Sequence, residues 1–148
     1  PEVISHNIET VSRLTSKVRD ARASYEQSLL VLKKIKDLHS FIYTKSSIML
    51  GLGESEDEVI QTITDLKSSG VSILTIGQYL QPTPKHLPVS EFISPDKFNW
   101  FREIAEQMGF VYVASGPLVR SSYRAAEFFL EKILNLPLND LNVLIFVS

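Results

Sequence analysis

Asn7 and Glu9 stand two residues apart at the end of a short apolar run around Val3 and Ile4. In an extended chain that spacing sends both side chains off one face. A carboxylate beside an amide suits ribose hydroxyls or an amino group; the same pair also suits capping of the next segment. Arg19, in a basic stretch with Arg13, Lys17 and Arg22, carries the planar fork that clamps a carboxylate, although an exposed arginine without function is the commoner case. Gly51 and Gly53, followed by Glu54, permit a tight turn and close backbone approach to a ligand. No third glycine falls at dinucleotide-binding spacing, and no Gly-Lys-Ser/Thr follows, so this pair alone reads first as a tight turn. Gln78 and Gln81 form a further amide pair. In Arg120-Ser121-Ser122-Tyr123 either serine could equally be the N-cap of a last helix. His6, His39 and His86 are not at metal-ligand spacing, and Gly-x-Ser-x-Gly is absent.

The elements that must position these residues alternate between strand and helix. Glu2 to Ile8 reads as a strand. Thr10 to Ala23 reads as a polar, irregular, basic arm. Ser24 opens a helix with Gln27 completing a capping box, and Leu29, Leu32, Ile35 and Leu38 form its apolar stripe. Lys33, Lys34 and Lys36 read as its solvated face. Ser46 to Leu52 is a strand of apolar type, breaking at the two glycines. Ser55 and Glu58 then form a capping box, Val59, Ile60, Ile63 and Leu66 recur at helical spacing, and Gly70 stops the helix. Val71 to Leu80 is a third strand. Pro82 to Val89 holds three prolines and reads as a stiff, extended loop. Ser94-Pro95 is an N-cap with proline at N1, opening a helix with Phe98, Phe101, Ala105 and Met108 on one face, closed by Gly109. Phe110 to Ala114 is a fourth strand, and a last helix carries Phe128, Phe129, Ile133 and Leu134. Residues 135–148 have no clear role.

Strands alternating with helices imply parallel pairing and right-handed crossovers. Every polar or glycine cluster named above follows a strand, so all of them converge on one edge of the sheet. That edge is where barrel and doubly wound α/β enzymes bind and react.

The composition narrows the classes. With 148 residues there is chain for about one domain with a core. A net charge of −2 argues against a general nucleic-acid or anionic-membrane surface, and no apolar run is long enough to span a bilayer. No signal peptide is visible. There are no cysteines, hence no disulfide and no thiolate metal site within the chain. The chain begins at Pro1, already inside strand-like sequence, and reads as a piece of a longer protein.

The segments His6 to Thr10, Ser16 to Arg19, Lys45 to Glu54, Gly77 to Pro82 and Ser115 to Tyr123 occur in this order and at matching spacing. Together they resemble the C-terminal half of lipoyl synthase, a radical S-adenosylmethionine enzyme, over about Glu2 to Leu134. The Gly-Pro-Leu-Val-Arg-Ser-Ser-Tyr segment is the most specific part. The resemblance implies an α/β fold, a partial (β/α)6 barrel of which residues 1–134 are the C-terminal units and 135–148 a divergent tail. It implies a 4Fe–4S cluster that cleaves S-adenosylmethionine to a 5′-deoxyadenosyl radical. A second, auxiliary 4Fe–4S cluster would supply two sulfur atoms to carbons 6 and 8 of a protein-bound octanoyl chain. The partner would be an octanoylated lipoyl carrier domain or H protein, with neither nucleic acid nor membrane involved. Carried over by position, Ser122 resembles the serine ligand of the auxiliary cluster, with Arg120 and Tyr123 shaping its pocket. Asn7 and Glu9 match the pair facing the cofactor's ribose, and Arg19 the arginine on its carboxylate. Gly51, Gly53 and Glu54 match the strand end lining the cofactor, and Gln78 and Gln81 line the same mouth.

One departure is large. The family places three cysteines for each cluster upstream of this half, and this sequence has none. The chain is therefore expected to be inactive alone, and half a barrel is expected to expose an unpaired strand edge. The Glu-Phe-Phe that follows the serine motif points to a mitochondrial-type member, with plastid or bacterial cytoplasm as alternatives. Two other readings compete: a biotin-synthase-like sulfur-inserting enzyme, which the Arg-Ser-Ser-Tyr motif disfavours, and a non-catalytic remnant that binds a partner.

Overall fold

The computed structural model describes residues 3–119 and 143–146. Its centre is a parallel sheet of five strands: β1 (Val3–His6), β2 (Tyr43–Leu50), β3 (Ile73–Gln78), β4 (Tyr112–Gly116) and β5 (Val143–Phe146), in the order β4-β3-β2-β1-β5. The helices α2 (Tyr25–Leu38), α3 (Glu56–Ser68) and α4 (Pro95–Gln107) follow β1, β2 and β3 respectively. The result is the α/β fold expected of a partial β/α barrel of the radical S-adenosylmethionine kind.

Each helix starts where its cap dictates. The Ser24 hydroxyl accepts from the Gln27 N–H at 3.0 Å, and Ser94 from Lys97 at 3.2 Å, with Pro95 at the first helical position. Ser55 and Glu58 make the full reciprocal box. Such caps each contribute on the order of 1 kcal/mol by satisfying otherwise orphaned N–H groups. Gly70 and Gly109, both at positive φ, follow the ends of α3 and α4.

The packing sits on one face of the sheet. Ile48, Leu50, Leu74, Ile76 and Val113 meet Leu32 of α2, Val59, Ile63 and Leu66 of α3, and Phe98, Phe101 and Ala105 of α4 in a single core. The α2 stripe departs from expectation. Its buried positions are Tyr25, Ser28 and Leu32, whereas Leu38 is exposed. The Tyr25 hydroxyl donates to Asp65 of α3 at 2.7 Å, so the helix is held partly by polar contacts. Lys36 is not a solvated-face residue either, since its Nζ donates to the carbonyls of Ser40 and Ile42 beyond the helix end.

Two other regions differ from the sequence reading. The arm after β1 is not irregular: it holds a 3-10 turn (Ser12–Leu14) and a short helix α1 (Thr15–Val18), because Val11 and Leu14 drop into the core and anchor it. The stretch 135–148 contains β5, which pairs in parallel with β1 from Val3↔Val143 to His6↔Phe146. β1 is therefore an inner strand, and among the described residues β4 and β5 form the edges of the sheet.

Candidate functional site

Register lays the second face of the sheet out in rows. Ser5, Lys45, Ile73 and Tyr112 are cross-strand neighbours. Ser47, Thr75 and Ala114 form the next row, and Met49, Gly77 and Gly116 the one above. This face is polar where the helix-packed face is apolar. Ser5, Lys45, Ser47 and Thr75 are all buried, and the Ser47 and Thr75 hydroxyls are in short hydrogen-bond contact. Thr44, Lys45, Ser46 and Ser47 are all polar and all buried, so no polar–apolar alternation marks this face in the sequence.

Glu9 stands above these rows. Its backbone N–H donates to the Ser47 carbonyl at 3.0 Å, and its carbonyl accepts from the Met49 N–H at 2.8 Å. Clamped between them, it adopts φ 70°, the one positive φ at a non-glycine among the described residues. That conformation costs roughly 1–2 kcal/mol for a residue with a Cβ and persists only where surroundings enforce it. It turns the side chain into a cavity of about 490 Å³ that Ser47, Met49, Thr75, Gly77 and Gln78 also line. Burial pushes the Glu9 carboxyl above its ordinary range, while a hydrogen bond from Asn7 and the charges of Arg19 and Lys45 act the other way. The Lys45 ammonium is buried in turn, and desolvation lowers it to about 8 against the pull of Glu9. Asn7 and Glu9 are thus hydrogen-bonded to each other, although both lie beyond β1 and Glu9 is not extended as the spacing argument assumed, and Lys45 is a third member that the sequence did not disclose.

The glycine turn is built differently. The Glu54 carboxylate accepts from the N–H groups of Gly51 at 2.5 Å and Leu52 at 2.9 Å, so it closes its own turn. Gly51 has φ 102° and lies so close to the Gln78 side chain and the Glu91 carbonyl that no Cβ fits. Gln78 donates to the carbonyls of Tyr79 and Glu91 and accepts from the Ile93 N–H. Gly53 is held from outside, by Arg13, which donates to its carbonyl at 3.0 Å and pairs with Glu58 at 2.9 Å. Gln81 lines the Glu9 cavity and donates to the His86 carbonyl at 2.9 Å.

Arg19 lies elsewhere. It lines a separate cleft of about 460 Å³ with His6, Asp20, Arg22, Ser24 and Ser28, beside the start of α2. Its Nη1 donates to the Ser28 hydroxyl at 2.8 Å and to the Ser24 carbonyl at 3.4 Å. Ser28 also meets His6 Nε2 at 3.0 Å. Glu9 and Arg19 feel each other's charge without sharing a cavity.

After β4 the chain reaches the Glu9 cavity at Val119, the last described residue before Arg120. The Val119 N–H donates to the Gly116 carbonyl at 3.2 Å. The Val119 carbonyl approaches Gly77 so closely that only hydrogen fits on that α-carbon. Arg120, Ser122 and Tyr123, expected at the auxiliary cluster, lie outside the described residues, as does the last helix. Among the described residues no group of three His, Asp or Glu side chains is placed to hold a metal ion, and none of their helices is long and apolar enough to cross a membrane.

No protein-family model matches the chain. Curated relatives do. The apicoplast lipoyl synthase of Plasmodium yoelii yoelii is 55% identical over 141 residues, which is 95% of this chain and 28% of the relative. The chloroplastic lipoyl synthase of Chlamydomonas reinhardtii is 60% identical over 134 residues, 90% of this chain and 31% of the relative. The lipoyl synthase of Myxococcus xanthus (strain DK1622) is 55% identical over 134 residues, 90% of this chain and 45% of the relative. The chain therefore spans from under a third to somewhat under half of the length of these relatives. By its own residues this chain is kin to the lipoyl synthases and matches a fragment of them.

Proposed function

We propose that this chain is the cofactor-facing part of a lipoyl synthase, the enzyme that inserts two sulfur atoms at carbons 6 and 8 of a protein-bound octanoyl group. The observation that supports this most is Glu9: a carboxylate on strained backbone, paired with Asn7, in a cavity that Val119 also lines. The Glu9 carboxylate and Asn7 amide would hold ribose hydroxyls of S-adenosylmethionine, whose sulfonium and the iron–sulfur clusters supply the radical chemistry when bound. The charge of Lys45 favours the ionised Glu9 carboxylate against the burial that disfavours it. An adjoining cleft of about 390 Å³ shares Met49, Leu80 and Pro82 with the Glu9 cavity and adds Val18 and Leu87. Lys17, Lys85 and His86 line it too, and its apolar residues suit an octanoyl chain delivered by a lipoyl carrier domain or H protein.

With no cysteine in the chain, the donor set does not fit either 4Fe–4S cluster, and the chain alone is expected to lack turnover. Ser122 could supply one corner of the auxiliary cluster only beside thiolates from other sequence. We favour a plastid or a bacterial cytoplasm over the mitochondrion first expected, because the relatives above are chloroplastic, apicoplast or bacterial. Equilibrium binding of S-adenosylmethionine tests the reading: the chain should bind it, and Glu9→Gln should weaken binding about tenfold or more, the worth of one charge-assisted hydrogen bond. Unchanged affinity in that variant would remove the basis of the proposal. Stoichiometric cluster uptake with turnover after anaerobic reconstitution would refute the expected inactivity.

A further inference from the structure

Charge is sorted unevenly around the cleft that adjoins the Glu9 cavity. The chain carries 17 acidic residues against 15 lysines and arginines, yet no aspartate or glutamate lines this cleft. Its charged residues are Lys17 and Lys85, with His86 beside them. Both lysines are exposed, and among the described residues neither ammonium pairs with a carboxylate. Arg13, Arg22 and Lys97, by contrast, each hold an acidic partner within 3.0 Å.

The two lysines come from separate elements, and both elements are held in place. Lys17 lies on α1, which Val11 and Leu14 anchor to the core. Lys85 lies in a turn, Thr83-Pro84-Lys85-His86, closed by the His86 N–H donating to the Thr83 carbonyl at 3.0 Å. Proline at the second position presets such a turn. The Gln81 amide donates to the His86 carbonyl at 2.9 Å, and the Tyr79 hydroxyl to the Leu87 carbonyl at 2.7 Å. The turn is thus fastened to the residues that follow β3, and a loop already fixed loses little freedom on docking a partner. Beside the exposed lysines the lining turns apolar: Val18, Met49 and Leu87 are half-buried, and Met49 also lines the Glu9 cavity. Exposed cations beside half-buried apolar walls match a ligand with an apolar chain and negative charge near the point where that chain is attached.

We infer that Lys17 and Lys85 form a docking rim for an acidic polypeptide segment: carboxylates flanking an acylated lysine meet the two ammonium groups while the acyl chain enters the cleft. That the acyl chain is octanoyl rests on the function proposed above; the charge preference of the rim does not. Exposed ion pairs are individually weak, so the rim acts more on partner choice and rate of capture than on affinity. Lys17, read on sequence only as part of a basic arm, becomes a residue that selects the partner.

The experiment titrates the chain with two octanoyl-lysine peptides, one with glutamates flanking the acylated lysine and one with glutamines. The glutamate peptide should bind about three- to tenfold more tightly at low salt. That preference should fall below about twofold at roughly 1 M salt, where the screening length is about 3 Å. Lys17→Gln/Lys85→Gln, a double variant at two exposed positions, should bind both peptides equally, and Lys17→Glu/Lys85→Glu should invert the order. Equal binding of the two peptides by the wild type overturns the inference and spares the cleft as an acyl site. A preference that survives both double variants puts the acidic contact elsewhere and overturns it too. Free octanoate that binds the wild type as tightly as the glutamate peptide, and loses that affinity in Lys17→Gln/Lys85→Gln, would assign the lysines to the ligand's own carboxylate and overturn the acidic segment as partner. Loss of all peptide binding would sink both the rim and the acyl reading of the cleft, while S-adenosylmethionine binding and its response to Glu9→Gln judge the Glu9 cavity separately.

Discussion

The ends of β1 and β2 lie side by side on one edge of the sheet, and they are built on opposite plans. After β2, Glu54 closes the glycine turn, Arg13 pins it from outside, and Gln78 ties it to residues 91–93. After β1, Glu9 sits on strained backbone. His6 Nδ1, Thr10 Oγ1 and Arg19 Nε are buried without partners among the described residues, and Lys45 is a buried ammonium beneath. Polar groups already paired can shape a wall but have little left with which to bind a ligand. Groups left strained or unpaired cost stability, and a protein retains them where a ligand repays that cost. On the function proposed above, the glycine turn serves as scaffold and recognition is concentrated at the end of β1.

This contrast can be broken most severely at Gly51. Gly51→Val forces a β-branched residue to φ 102° and drives its Cβ into the Glu91 carbonyl. We expect a loss of about 3 kcal/mol or more in urea unfolding; a loss below about 1 kcal/mol would show that the turn is not rigid scaffold.

Lys45 gives the next largest effect, read through pH. Its pKa falls from an ordinary 10.5 to about 8 in the folded chain. Between those values the unfolded chain binds a proton that the folded chain does not, so stability rises with pH across that window, by up to about 3 kcal/mol. Urea midpoints at pH 7.5 and 9.5 should separate in the wild type and converge in Lys45→Met. Equal separation in both would mean that the ammonium is well solvated.

Glu54→Gln should cost about 1–2 kcal/mol by weakening two hydrogen bonds to charged oxygen, and should leave S-adenosylmethionine affinity within about threefold. A tenfold loss of affinity there would move recognition back to the glycine turn. Glu9→Gly should do the reverse. Relief of positive φ and of the buried carboxylate should raise stability by about 1 kcal/mol, while affinity falls about tenfold or more. Burial raises the Glu9 pKa, so wild-type stability should fall as pH rises from about 4.5 through the raised folded value, and Glu9→Gly should flatten that slope. A variant both less stable and equally tight in binding would overturn the comparison.

Much of this was legible in the chain. Caps and stops are local chemistry, so Ser24, Ser55, Ser94, Gly70 and Gly109 marked helix ends that the structure keeps. Alternating strand and helix implied a parallel sheet, and therefore one functional edge, before any contact was known. The spacing of Asn7 and Glu9 marked them as a possible pair, but their contact is made beyond β1 with Glu9 at positive φ, which spacing did not foretell. What the sequence could not determine depends on partners distant in the chain. Lys45 reads as one more lysine until register sets it beside Ser5 and Ile73 within a buried row. That the Glu54 carboxylate accepts from the N–H groups of Gly51 and Leu52 is likewise decided by the folded turn. β5 has no strand partner until it meets β1 across the whole sequence. Only tertiary structure decides which polar groups are already paired, because a hydrogen bond is local in space and need not be local in sequence.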